Sequence, residues 1–234
     1  MTEDAGSIAT ITRDLNARVE SIASIVLALA VVLTAWAAFQ AGKWSGEQSV
    51  QFSVAGASRT ESTRHDTRGG QLVQIDVAMF TDFVGAYLDD LEMGRIPEFD
   101  GASFEPTPET HSGFLYMRVR DEFRPALDAW LASDPANNAN APPTPFEMEE
   151  YVVSEFLEAE RLSAEADAAA IDARQANQTG DNYVLTAVLF AAVLFFSGVA
   201  SKLESHWNRH FVNLVGIVGV IAGAVILIRL PVLL

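Results

Sequence analysis

The chain has 234 residues, with 31 Asp and Glu against 15 Lys and Arg, a formal net charge of −16, and yet half of its residues are hydrophobic. That balance argues against nucleic acid or an anionic bilayer surface as a partner of the polar part. The absence of cysteine excludes disulfides and thiolate metal sites. High charge and high apolar content together call for two populations of residues, one for lipid and one for water.

Residues 1–21 form a polar N-terminal segment carrying Arg13 and Arg18. Residues 22–39, IASIVLALAVVLTAWAAF, are an uncharged apolar run. It meets the length of about 18 to 20 residues that a transmembrane helix needs. It is too long for the apolar core of a signal peptide, and the segment before it contains acids. At its end, Trp36 and Trp44 suit an interfacial belt, with Lys43 snorkelling between them.

Residues 40–182 hold 26 of the 31 acids and 10 of the 15 basic residues, and so the whole net charge. From 44 to 93 no proline interrupts a helical pattern. Val73, Val77, Phe80, Val84, Tyr87 and Leu91 are spaced alternately by four and three, which predicts a heptad seam. The pair Gly69-Gly70 predicts a kink or break. Residues 94–112 read as a loop, 113–133 as a shorter helix with Leu115, Phe123, Leu127, Trp130 and Leu131 on its apolar side, and 134–145 as a second loop. Pro125 either starts a helix there or bends one. From 146 to about 178 a helical pattern returns with the seam Val152, Phe156, Ala159, Ser163, Ala166, Ala170, Ala173 and Asn177. Its large-to-small gradient mirrors that of the first arm, and so predicts an antiparallel, coiled-coil-like helical hairpin.

Residues 183–200 and 211–234 contain two further apolar runs, separated by a short turn at 201–210 with Lys202 and Arg209. Tyr183 and Trp207 complete the expected interfacial anchors. Ala187/Ala191 and Gly219/Gly223 are small pairs at four-residue spacing that suit close helix packing in lipid, within one chain or between chains. Basic short segments stay in the cytoplasm. The N-terminus and the 201–210 turn are therefore expected inside a cell membrane, and the acidic domain outside.

Candidate chemistry is sparse. Arg59, Arg64, His65 and Arg68 gather in an acidic domain, either as an anion or headgroup site or as an ion-pair network with acids such as Glu158, Glu165 or Asp167. His206 and His210 lack a third metal ligand, and a polar turn accounts for them. No phosphate loop, nucleophile elbow or HExxH motif occurs. The expectation is a non-enzymatic protein without cofactor or metal.

The stretches AFQAGKWSGEQ, VRDEFRPALDAWLASDP followed by PPTPFEMEEY, and DNYVLTAVLFAAVLFFSGVASKL resemble a family of small, uncharacterised prokaryotic inner-membrane proteins. These have three transmembrane helices and a helical extracytoplasmic insert. GASFEPTPETHSG departs from that pattern. The resemblance implies fold and location, with no activity. The functional expectation is a structural or interaction role, through homo-oligomerisation or as an accessory subunit of another membrane protein. The alternative is a homo-oligomeric channel whose acidic domain forms an outer vestibule, lined in the membrane by Thr34, Thr186, Ser197 and Asn213.

Overall fold

The chain carries nine prolines, at 97, 106, 108, 125, 135, 142, 143, 145 and 231, and none within residues 1–96 or 146–230. Because proline ends or kinks a helix, this placement alone leaves two long uninterrupted segments around a broken middle. The computed structural model describes residues 2–97, 105–135, 137–200 and 206–234, with side chains except at positions 2–20, 22, 23, 200, 206–210 and 213. All regular structure among the described residues is helical. Helix α1 spans Thr2–Glu92 and α4 spans Ser154–Ala200. Between them lie α2 (His111–Tyr116), α3 (Arg124–Ala132) and a 3-10 turn at Pro145–Glu147; α5 follows at His206–Arg229. The expected 201–210 turn falls largely outside the described residues, and so does the side chain of Trp207.

Two helices, α1 and α4, are long and apolar enough to cross a membrane; α5 offers a shorter apolar stretch, Leu214–Arg229. The chain divides into two units, Met1–Ala55 with Asp167–Leu234, and Gly56–Ala166. We call them the apolar and the polar unit.

In the apolar unit the core is Ala30, Ala37, Tyr183, Phe190, Val193, Val220 and Leu227. Glycine lets α5 approach α4. A Cβ on Gly219 would lie 2.6 Å from Val193 Cγ2, and one on Gly223 2.5 Å from Phe190 Cε1. Pro231 follows α5 and the chain leaves the helix there.

In the polar unit α1 is continuous through Gly69-Gly70, so the helix does not break there. Gly69 is buried because the ring of Phe156 covers it: a Cβ there would meet Phe156 Cε1 at 2.6 Å. The fully buried positions along this part of α1 are Asp76, Phe83, Ala86 and Asp90, a line centred one residue before the expected seam; of that seam Val73, Phe80, Val84, Tyr87 and Leu91 are half-buried and Val77 is exposed. On α4 the expected Ala159 and Ala166 are buried, whereas Phe156 and Ser163 are exposed, as is Val152, which precedes the helix.

The middle segment builds a small core of its own. Pro125 sits in the first turn of α3 and starts it, and Thr110 caps α2 by accepting from Gly113 N at 3.1 Å. Phe83, Val119, Phe123, Ala126, Leu127, Trp130 and Leu131 are buried together. Phe123 stacks on Phe146 at 5.3 Å, and both meet Tyr151 edge-on. Edge-to-face and offset contacts of this kind contribute about 0.5–1.5 kcal/mol each beyond area burial.

Candidate functional site

The densest polar constellation is centred on Asp76, one residue off the expected seam. Its side chain is 1% exposed. Arg120, just before α3, grips it with both arms of the guanidinium: Nε donates to Oδ1 at 3.2 Å and Nη2 to Oδ2 at 2.7 Å. Tyr151 OH donates to Oδ2 at 3.1 Å. Arg120 also pairs with Glu122, which accepts from Ser154 Oγ at 2.6 Å, the first residue of α4. A single chain of hydrogen bonds thus ties α1, the approach to α3 and the start of α4. Bidentate Arg–carboxylate pairs add geometric specificity.

The hydrogen bonds to Asp76 hold the Arg120 guanidinium above its usual range, against the opposing effect of burial. Burial first, then the Asp76 charge, push the Tyr151 phenol up. The Ser154 hydroxyl and Arg120 hold Glu122 below the usual carboxylate range, against burial.

Asp90 makes the second buried carboxylate and is fully enclosed. Arg95 Nη1 donates to Oδ1 and Ser112 N to Oδ2, both at 2.8 Å. Burial alone would raise its pKa; the Ser112 N–H and Arg95 outweigh it and lower it.

The Arg59–Arg68 group divides. Arg64 pairs with Glu61 of its own helix at 2.9 Å and is mostly exposed. His65 Nδ1 lies 2.5 Å from Glu155 Oε2, and Arg68 Nε lies 3.1 Å from Oε1 of the same carboxylate. Glu155, in the first turn of α4 where the helix dipole favours an anion, is only 14% exposed. Glu158 and Glu165 both pair with Arg161, and Glu165 also accepts from Ser58 at 3.4 Å. Ser62 Oγ donates to Ala159 O at 2.7 Å. The charges of the His65–Arg68 turn therefore meet a carboxylate of the chain itself.

In the apolar unit the expected anchors do something more specific than sit at an interface. Trp44 Nε1 and Tyr183 OH both donate to the carbonyl of Pro231, each at 3.1 Å. Gln40, fully buried, accepts from Leu233 N at 3.0 Å and donates to Leu233 O at 3.2 Å. These three side chains satisfy the backbone groups that Pro231 frees from α5. Trp36 is exposed against Phe39, and Lys43 is half-buried. Gly219 and Gly223 face α4, Ala187 packs against the core and Ala191 is exposed. A Cβ on Gly42 or Gly46 would meet nothing within 4 Å. The close approach of α1 to α4 is made by Gly180, whose Cβ would lie 3.6 Å from Trp44 Cβ.

Sequence reasoning missed Asp76, Asp90 and Gln40. Acids in a hydrophobic seam at a spacing of fourteen residues were the available signal for the first two. Compared with known proteins, the chain matches no protein-family model, no curated protein and no solved structure.

The pKa directions predict a stability plateau with two limbs. Asp90 and Glu122, lowered in the folded state, stabilise above the ordinary carboxylate values of 3.8 and 4.5, and that contribution is lost as pH falls through their folded values. Tyr116, pushed up to about 12 first by burial and then by its hydrogen bond to Asp128, stabilises fully below 10.0 and loses that contribution as pH rises toward 12. Near-ultraviolet circular dichroism of the full chain should be flat between roughly pH 5 and 9 and fall on both sides. An unchanged aromatic signal down to pH 2 would refute the acid limb.

Proposed function

We propose that the chain is a non-enzymatic, multi-pass protein of the cell membrane whose role is structural: it assembles into a homo-oligomer or docks on another membrane protein as an accessory subunit. In this reading α1, α4 and α5 each contribute a span, the N-terminus is cytoplasmic, and the polar unit is an extracytoplasmic helical hairpin. The observation that carries it is the inverted surface of the apolar unit. Val32, Leu185, Phe195, Phe196, Ile221 and Ile228 all point outward, while the polar Gln40, Thr186 and Ser197 are buried. Only lipid or another apolar surface makes such a distribution favourable. The 24 residues of α5 extend about 36 Å, more than the roughly 30 Å of hydrocarbon in a bilayer.

The acids of the polar unit support a structural role. Asp76, Asp90, Glu122 and Glu155 each bond to groups of the chain that hold helices in place. The pore alternative needs polar side chains on an outward face of a span. Thr186 and Ser197 face inward, Thr34 donates to its own Ala30 carbonyl at 2.7 Å, and the side chain of Asn213 lies outside the described residues.

Native purification in mild detergent with mass spectrometry tests the proposal. One defined oligomer or one stoichiometric partner is expected, with no ion conductance in liposomes. A partnerless monomer, or conductance from the purified protein, would overturn it. Because the chain has no cysteine, Asn140→Cys gives a single label. A membrane-impermeant maleimide should reach it on intact cells, while Ser201→Cys should react only after permeabilisation.

A further inference from the structure

The polar unit contains a cavity of about 220 Å³ between α1 and α3. Phe83, Tyr87 and Leu88 come from α1, Trp130 and Leu131 from α3, and Pro135 from the turn that follows. The walls are almost wholly apolar, and they are preformed. Trp130 is fixed by donating from Nε1 to Pro142 O at 2.9 Å and by an edge contact with Phe80 at 5.1 Å. Phe83 is 1% exposed, and its ring lies 6.2 Å from that of Tyr87. Leu88, by contrast, is 56% exposed and forms part of the rim. Ligand pockets are typically concave, preformed and apolar with a few placed polar groups, and this volume has room for one bicyclic ring system.

Asp134 is not itself a wall residue, but the chain sets it directly before one, Pro135. Asp134 adopts a left-handed backbone, with φ of 53°. Only a few residue types accept that conformation readily, Asp and Asn among them. The turn holds it there: Asn137 N and Asn138 N donate to its carbonyl at 3.1 and 2.8 Å, and Asn137 Nδ2 donates to Oδ1 at 3.0 Å. Its charge is felt inside the cavity wall, where burial and then Asp134 raise the Tyr87 phenol. Three aromatic side chains beside a carboxylate form the setting in which an organic cation is stabilised by ring faces and by charge together.

We propose that this cavity binds a small organic cation with an aromatic or cyclic apolar body. The assignment is independent of the oligomeric or accessory role and concerns the polar unit alone. The apolar body fills the space between Phe83 and Trp130, and the ammonium group lies toward Asp134.

The test uses the full chain in lipid nanodiscs, labelled with 5-fluorotryptophan, reading the Trp130 ¹⁹F resonance. Three ligands share one indole body: tryptamine (cationic), 3-methylindole (neutral) and indole-3-propionate (anionic). Tryptamine should shift the resonance saturably at about tenfold lower concentration than indole-3-propionate, with 3-methylindole between them. Asp134→Asn keeps the left-handed turn accessible and should bring tryptamine to the level of 3-methylindole. Leu88→Trp, at an exposed rim position that tolerates a larger residue, should abolish the shift for all three. No saturable shift, a charge preference that survives Asp134→Asn, or a response that survives Leu88→Trp would each overturn the assignment.

Discussion

Replacing Asp76 with alanine is expected to lower the stability of the polar unit by about 3 kcal/mol, the low end of the range for removing one partner of a buried ion pair. The low end applies because the Arg120 side chain is 21% exposed and retains Glu122. What is lost is specific. Tyr151 OH loses its acceptor, and the guanidinium loses two of its bonds beside Tyr151, whose ring meets Phe123 and Phe146 edge-on. Thermal unfolding followed by Trp130 fluorescence should show the transition falling by roughly 15 °C. Asp76→Asn keeps an acceptor and the shape, and should cost about half as much. The companion Asp76→Leu with Arg120→Met removes both charges, and should recover most of the loss, since buried ion pairs often exchange for apolar packing at little cost. An unchanged midpoint in Asp76→Ala would show that the network does not hold the unit.

That network also explains why the helical pattern was legible while its register was not. The two long helices follow from the proline-free stretches, and Phe123, Leu127, Trp130 and Leu131 of the middle segment all reach the core expected of them. A hydrophobic count along α1, however, penalises Asp76 and Asp90. The apolar set Val73, Val77, Phe80, Val84, Tyr87 and Leu91 therefore fits better by one residue, and places the exposed Val77 inward. Pairing with Arg120 and Arg95 made the acids compatible with burial, and a partner such as Arg120, 44 residues from Asp76, carries no local signal. Glycine misled for a related reason. Gly69, expected to kink or break the helix, marks a close contact with Phe156. A glycine is the same letter in either role, and only the neighbour decides. Of the expected Arg59–Arg68 group, the composition was plain, but the division between Glu61 and Glu155 depends on which side of α1 meets α4.

Gly223→Ala should be the most damaging single-methyl change in the apolar unit, and the reason bears on how the protein can associate. Its Cβ would stand 2.5 Å from Phe190 Cε1 and 2.6 Å from Cζ, and Phe190 is fully buried, so the ring has nowhere to turn. Overpacking of this kind costs about 1–3 kcal/mol, whereas Gly42→Ala, with nothing within 4 Å, should cost nothing. Thermal stability in detergent separates the two. Adding Phe190→Leu to Gly223→Ala should restore part of the loss, because the two residues form one contact and their effects are not additive. Since Gly223 and Phe190 meet within one chain, the loss should be independent of protein concentration, unlike a loss at an interface between copies. A concentration-dependent loss, or no rescue by Phe190→Leu, would move the contact from within the chain to between chains. With the Gly219/Gly223 face occupied by α4, self-association of the apolar unit has to use another surface. The exposed small residues Ala38, Gly42 and Ala191 lie outside the occupied one, and close packing there is open to a second helix. Bulky replacements at Ala38 and Ala191 should therefore change oligomeric state without lowering the stability of the single chain, the reverse of the outcome at Gly223.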